Sequence, residues 1–189
     1  MRGGLRVRPP HPVGGEGARR VSGAPFQGED HPLGPALLKR LRPEEAGQVA
    51  TEIARIPPWR LLGYTAERLG TYLARPDPGQ HFYAIHRTGR IVGAVAVRSP
   101  WLRGPYLELL CIFPEAQGQG LGSACLAWLE AESRPQAGNL WCLCSAFNTA
   151  GRAFYRRHGF VEIGAIPELL LREESELLLR KVLRPPGPP

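Results

Sequence analysis

From residue 36 onward the chain alternates short apolar runs with stretches in which apolar residues return every three or four positions. ALLKRL (36–41) predicts a short strand. RPEEAGQVATEIARI (42–56) predicts a helix, with Pro43 at its first position, acids in its first turn and apolar residues at 46, 49, 50, 53 and 54. The PPW turn at 57–59 stops it, and TAERLGTYLAR (65–75) predicts a second helix with Thr65 as its N-cap. HFYAIHR and IVGAVAV, joined by TGR, read as a β-hairpin. PYLELLCIF (105–113) is a mostly apolar strand, as expected at the centre of a sheet covered on both faces. GLGSACLAWLEAES (120–133) is helical and NLWCLCSAF (139–147) is a second buried strand. NTAGRAFYRRHGF (148–160) is a helix closed by Gly159. VEIGAI and SELLLRKVL then read as two final antiparallel strands around the loop PELLLREE. The order β, α, α, β, β, β, α, β, α, β, β predicts an α/β fold around a mixed sheet, without internal repeats.

Residues 1–35 break the pattern. They hold eight glycines and six prolines, too little apolar surface to offset the entropy of ordering, and predict a disordered extension. Residues 184–189 predict a Pro-rich tail, which leaves 36–183 as the folded domain. At 189 residues one core is expected, and 43% hydrophobic with 22% charged residues is the composition of a soluble globular chain. No apolar run reaches the length of a membrane span, and the N-terminus lacks the apolar core of a signal peptide. The expected location is therefore cytoplasmic, with no membrane partner. Cys111, Cys125, Cys142 and Cys144 lie in apolar stretches and form no metal-ligand spacing, so buried reduced thiols and no metal are expected.

The formal charge of +7 raises the question of nucleic acid. Residues 1–35 carry five arginines against Glu16, Glu29 and Asp30, a net +2, which leaves +5 over the other 154 residues. That excess is spread along the chain, and no nucleic-acid-binding motif accompanies it, so no nucleic-acid partner is expected. A moderately basic domain equally suits an anionic ligand.

One such ligand is suggested by QGQGLG (117–122), three glycines at alternate positions where a strand hands over to a helix. The spacing matches no named phosphate loop, but the physics is shared: backbone N–H groups without neighbouring side chains converge at a helix N-terminus and attract an anion. A ligand-free glycine turn is the plain alternative. In the helix at 148–160, Asn148 and Tyr155 lie seven residues apart, about two turns, and so share one face.

Together these stretches resemble the two central motifs of the GNAT superfamily of acyl-CoA-dependent N-acyltransferases. Gln117, Gly120 and Gly122 match the first, [QR]-x-x-G-x-[GA] after a strand and a proline; Asn148, Phe154, Tyr155, Gly159 and Phe160 match the second, with Gly151 where alanine is usual. The resemblance covers residues 36–183. It implies a GNAT-like fold: a mixed, mostly antiparallel sheet of about seven strands with about four helices, splayed between the fourth strand (105–113) and the fifth (139–147).

The resemblance further implies N-acetyl transfer from acetyl-CoA to a primary amine by direct attack, the acceptor being a small molecule or a protein, in a monomer or homodimer. An acyl-CoA-binding sensor without turnover is the alternative. For acetyl-CoA it implies the backbone of Gln117, Gly118, Gln119, Gly120, Leu121 and Gly122 around the pyrophosphate. It also implies Leu110, Cys111 and Ile112 along the pantetheine, with Asn148 on that arm and Arg152 or Arg156 on a phosphate. Tyr155 resembles the general acid. Glu108 is the expected base, with a polar sheet-face residue or ion-pair partner as the alternative. Trp59, Arg60 and Tyr64 border the acceptor pocket, as does the segment from Pro167 to Glu176, and Glu168, with Glu173, Glu174 and Glu176, could attract a cationic amine.

Overall fold

The structure is a computed structural model that describes residues 25–75 and 77–184. Its strands are β1 (Asp30–Leu33), β2 (Ala36–Arg40), β3 (Gln80–Arg87), β4 (Arg90–Trp101), β5 (Gly104–Ile112), β6 (Asn139–Ser145), β7 (Val161–Pro167) and β8 (Ser175–Val182). Its helices are α1 (Pro43–Arg55), α2 (Ala66–Ala74), α3 (Leu121–Ser133) and α4 (Thr149–Arg157). The strands form one sheet in the order β1-β2-β3-β4-β5-β6-β8-β7. Every neighbouring pair is antiparallel except β5 and β6. Among the described residues no helix is long and apolar enough to cross a membrane.

The helices begin where side-chain chemistry lets them. In α1 the Glu45 carboxylate accepts from the Arg42 backbone N–H at 3.1 Å and from the Arg42 guanidinium at 2.7 Å. In α2 the Thr65 hydroxyl accepts from the Arg68 N–H at 3.2 Å. The inward stripes of these two helices, Val49, Ala50, Ile53, Leu69 and Leu73, pack on Ala94, Ala96, Leu109 and Cys111 on one face of the sheet. On the other face Cys125, Leu126 and Leu129 of α3 pack on Tyr83, Val95, Val97 and Leu140. Because β4 is covered from both sides, Val92–Val97 is buried without alternation.

The N-terminal boundary falls earlier than the sequence predicts. Part of the expected disordered segment, residues 30–33, is β1, paired to β2 from Asp30↔Lys39 to Leu33↔Ala36, and this raises the strand count from seven to eight. Gly34, at φ 65°, turns the chain between them, and Pro32 is tolerated because β1 is an edge strand. Ahead of β1, Phe26 is 0% exposed, its ring centroid 5.7 Å from Trp128 and 5.5 Å from His81, and its carbonyl accepts from the Tyr83 hydroxyl at 2.8 Å. Gly/Pro-rich composition hid this strand because four residues carry no readable periodicity. Residues 1–24, the rest of the predicted extension, and residues 185–189 of the predicted tail lie outside the described residues. Phe26→Ala is expected to cost about 3–5 kcal/mol, the usual range for emptying a buried aromatic site. Urea unfolding measures it, and a loss below about 1 kcal/mol would mean that this segment does not close the core.

The feature that positions the site is a break in the sheet. β5 and β6 pair only at Tyr106↔Trp141 and Leu107↔Cys142, after which β5 continues to Ile112 with that edge unpaired. A bulge accompanies the divergence: Ala96 faces Leu109 and Val97 faces Leu107, so Glu108 is an extra residue in β5. The two predicted central strands, here β5 and β6, are indeed the ones that splay.

Candidate active site

A cavity of about 720 Å³ occupies the splay, a size usual for a small-molecule site. β5 lines it from Tyr106 to Ile112, β6 from Leu143 to Ser145, and the turn before α2 contributes Trp59, Leu62 and Tyr64. The glycine loop and the start of α3 close one end with Gln117, Gly118, Gly120, Leu121, Gly122 and Ser123.

That end is built to receive an anion. Gly118 and Gly120 have φ of 72° and 80°, left-handed values that side chains with a Cβ rarely adopt, and Gly120 is the N-cap of α3. A glycine cap supplies no side-chain acceptor, and the first turn of α3 holds no acid. The opening N–H groups of the helix therefore stay available to a ligand, together with the positive end of the helix dipole. Gly122 serves packing instead: a Cβ there would stand 3.2 Å from Cζ of Phe154, so its absence lets α4 lie close against α3.

Tyr155, on α4, lines the cavity. Its ring is held edge-on by Phe154 at 5.3 Å and Phe160 at 5.4 Å, and among the described residues its hydroxyl has no hydrogen-bond partner. Burial, with the Cys142 and Cys144 thiols and Tyr106 nearby, pushes its pKa well above the ordinary phenol value, so it stays protonated at neutral pH. The thiols are held neutral too, Cys111 up to about 12 and Cys144 up to about 11, chiefly through burial.

Residues 78–162 match the model of the acetyltransferase (GNAT) domain. The aminoalkylphosphonate N-acetyltransferase of Salmonella typhimurium is 31% identical over 107 residues, 52% of this chain and 68% of that protein. The chain is a member of the GNAT acetyltransferase family. Blasticidin-S acetyltransferase of Streptomyces morookaense is 29% identical over 111 residues, covering 58% of this chain and 79% of its own. The crystal structure of an aminoglycoside 6'-N-acetyltransferase complexed with coenzyme A shares the fold, with a TM-score of 0.64 at 11% identity over 80% of this chain and 99% of that one. The GNAT fold and an acyltransferase activity thus stand on sequence and structure together.

Within this GNAT chain most of the sequence-predicted site residues meet in the cavity. Tyr155, Glu108, Leu110, Cys111, Ile112, Gln117, Gly118, Gly120, Leu121, Gly122, Asn148, Trp59 and Tyr64 line it. Four others do not. Arg152 is turned to β7, its guanidinium 3.0 Å from Glu162 and donating to the Ala146 carbonyl, so it is spent on holding α4 to the sheet. Arg157 lines the cavity instead, on one helical stripe with Ala150 and Phe154. The side chain of Gln119 bonds the Glu115 carbonyl and Arg87 rather than the cavity. Glu168 closes its own loop, accepting from the Glu173 N–H at 3.2 Å, and Arg60 is absent from the lining.

Two predicted roles change in place. The carbonyl of Asn148 caps α4 by accepting from the Gly151 N–H at 2.9 Å, which leaves only its amide nitrogen for a ligand. Gly151, where a methyl group would come within 2.6 Å of that nitrogen, makes room for the cap. Glu108, the expected base, is an ion-pair partner of Arg98 here, the alternative that its sequence position also allowed. Its carboxylate accepts from the Tyr72 hydroxyl at 2.8 Å and from the Gln80 amide at 2.6 Å, and pairs with Arg98 at 2.8 Å. These bonds tie α2, β3, β4 and β5 together at the bulge.

The sequence reading also left residues unassigned or undivided. Tyr106 and Leu170 line the cavity, and Glu176 is the member of its acidic group that does so. A glutamate 4% exposed at the start of an otherwise apolar strand is the signal that separates Glu176 from its solvated neighbours.

Proposed function

We propose that this GNAT acetyltransferase transfers the acetyl group of acetyl-CoA to a primary amine by direct attack. The observation that carries the reading is the cavity itself, one space lined by the bare N-terminus of α3, the unpaired edge of β5 and Tyr155. A diphosphate needs N–H donors at a helix start, an amide-bearing arm needs unpaired backbone, and a departing thiolate needs a proton donor. Candidates for all three line the one cavity. The coenzyme A bound in the aminoglycoside acetyltransferase of the same fold supports the choice of carrier.

In this reading the glycine loop and the first turn of α3 hold the pyrophosphate, and Arg157 adds charge at that end. The free edge of β5 pairs with the pantetheine amides and presents N–H groups to the thioester oxygen, where fixed donors are worth about 3–4 kcal/mol of transition-state stabilisation. The nitrogen of the neutral amine forms a bond to the acyl carbon, the carbon–sulfur bond breaks, and Tyr155 gives its proton to the sulfur. The amine nitrogen, which must shed a proton to become an amide, restores the phenol.

The reading is tested by calorimetric titration with acetyl-CoA, CoA and NADH, followed by free-thiol release over a panel of primary amines. Acetyl-CoA and CoA are expected to bind with dissociation constants of about 1–100 μM and NADH not to bind. No binding of acetyl-CoA by folded protein would sink the proposal. Binding without thiol release on any amine would favour a sensor that holds acyl-CoA without turnover.

A further inference from the structure

We infer that Glu176 is the carboxylate that receives the protonated acceptor and takes its proton, and that the acceptor is a cationic amine with an apolar or planar body and no anionic group. The inference rests on the acetyl-transfer reading and deepens it. Among the described residues that line the cavity the acids are Glu108 and Glu176 and the one base is Arg157. Glu108 is consumed by Arg98, Tyr72 and Gln80. Arg157 shares a helical stripe with Phe154, which packs on Gly122 at the glycine-loop end. One acid therefore remains for the acceptor, and no cation beside it.

Its position suits the task. Glu176 stands opposite Ser145 on β6 and Ile166 on β7, at the mouth of the splay, where β6 has already left β5. It is 4% exposed, and among the described residues no cation pairs with it. The groups that face it are Tyr64 from the turn before α2, Tyr106 from β5, Cys144 and Ser145 from β6, and Glu174 from the loop before β8. Tyr106 and Cys144 also act electrostatically on Tyr155, and Glu176 and Tyr155 line the same cavity. Burial and the nearby Glu174 raise the pKa of Glu176 above the ordinary carboxylate value, with the Ser145 hydroxyl opposing. A buried carboxylate without a cation is costly. An incoming ammonium relieves that cost, whereas an acceptor carrying a phosphonate would bring a second anion to it. Trp59, Tyr64, Tyr106 and Leu170 provide apolar and aromatic walls.

Protons balance through two exits. The ammonium gives one to Glu176, which passes it to solvent once the products have left. The nitrogen gives the second, after bonding carbon, to the Tyr155 phenolate that protonated the sulfur. Amide, free thiol and one solvent proton result.

The test compares the full chain with E176Q and E176D, using 2-phenylethylamine and 2-aminoethylphosphonate as acceptors and calorimetry of acetyl-CoA as the second readout. For the wild type, kcat/KM is expected to favour phenylethylamine by about 30-fold or more, as an unpaired like charge dictates. Its acid limb should lie above the usual carboxylate range. In E176Q that limb should vanish and kcat/KM fall about 100-fold, the lower range for losing a general base, with acetyl-CoA affinity unchanged within about twofold. E176D should recover both the limb and part of the rate. Retention of rate and limb in E176Q, or preference of the wild type for the phosphonate, would overturn the inference while leaving acetyl transfer intact. Failure of the wild type to bind acetyl-CoA would remove both.

Discussion

Gly120→Val is expected to yield a folded protein that has lost acetyl-CoA. Gly120 sits at φ 80° and ψ −3° as the N-cap of α3, and a β-branched residue is most strained there. Keeping the left-handed conformation costs about 1–2 kcal/mol, so the loop relaxes by turning its peptide planes. That rotation spends nothing in the core, because a Cβ at 120 meets no atom within 4 Å in the structure. It does turn away the N–H groups of the loop and the first turn of α3 that the proposal assigns to the pyrophosphate. The acetyl-CoA dissociation constant should rise about 100-fold or more, the equivalent of about two charge-assisted hydrogen bonds. The thermal midpoint should fall by only a few degrees, as about 1–2 kcal/mol implies for a domain of this size. Calorimetry and circular dichroism on the same sample separate the two. Affinity kept within about threefold would mean that the loop is a turn and nothing more.

What the sequence made legible follows from how local each signal is. The caps of α1 and α2, the apolar centre of the sheet, the glycine loop and the Asn148/Tyr155 face are each written within a dozen residues, and all were readable. Three things were not. β1 is short, edge-placed and surrounded by glycine and proline, so its identity comes from pairing with β2 and from Phe26 reaching Trp128 on α3. The Glu108 cluster joins residues 72, 80, 98 and 108 from four elements, and its existence depends on a bulge that only the register of β4 and β5 reveals. The fate of each charged side chain around the site was also invisible. Arg152 and Arg157 lie five apart on α4, and which of them meets the cavity depends on Glu162 standing ready on β7 to capture the first. Motifs specified the half of the site that a common carrier would occupy. The rest of the cavity is lined by Trp59, Leu62, Tyr64, Tyr106, Leu170 and Glu176, which no local pattern links.

The second large effect is expected from Tyr155→Phe, and it should fall on turnover alone. The aromatic ring keeps its edge-on contacts with Phe154 and Phe160 in the variant, and the hydroxyl removed has no hydrogen-bond partner among the described residues. Stability should therefore change by less than about 0.5 kcal/mol, as for other substitutions that leave no polar group unpaired. Acetyl-CoA affinity should stay within about threefold, since the phenol would be needed when charge gathers on sulfur rather than while the thioester rests in the cavity. The rate constant kcat should drop by about 100-fold to 1,000-fold, within the range for a positioned acid. The raised pKa adds a second signature with a definite sign. A donor works only while protonated, so activity that depends on Tyr155 would decline only as pH rises through its folded pKa, which burial and the two thiols place well above the ordinary phenol value. The wild-type profile should accordingly show no loss assignable to Tyr155 up to about pH 10. Presteady-state measurement of thiol release decides the matter: an unchanged chemical step in the phenylalanine variant would hand the proton to water and leave Tyr155 as a wall of the cavity.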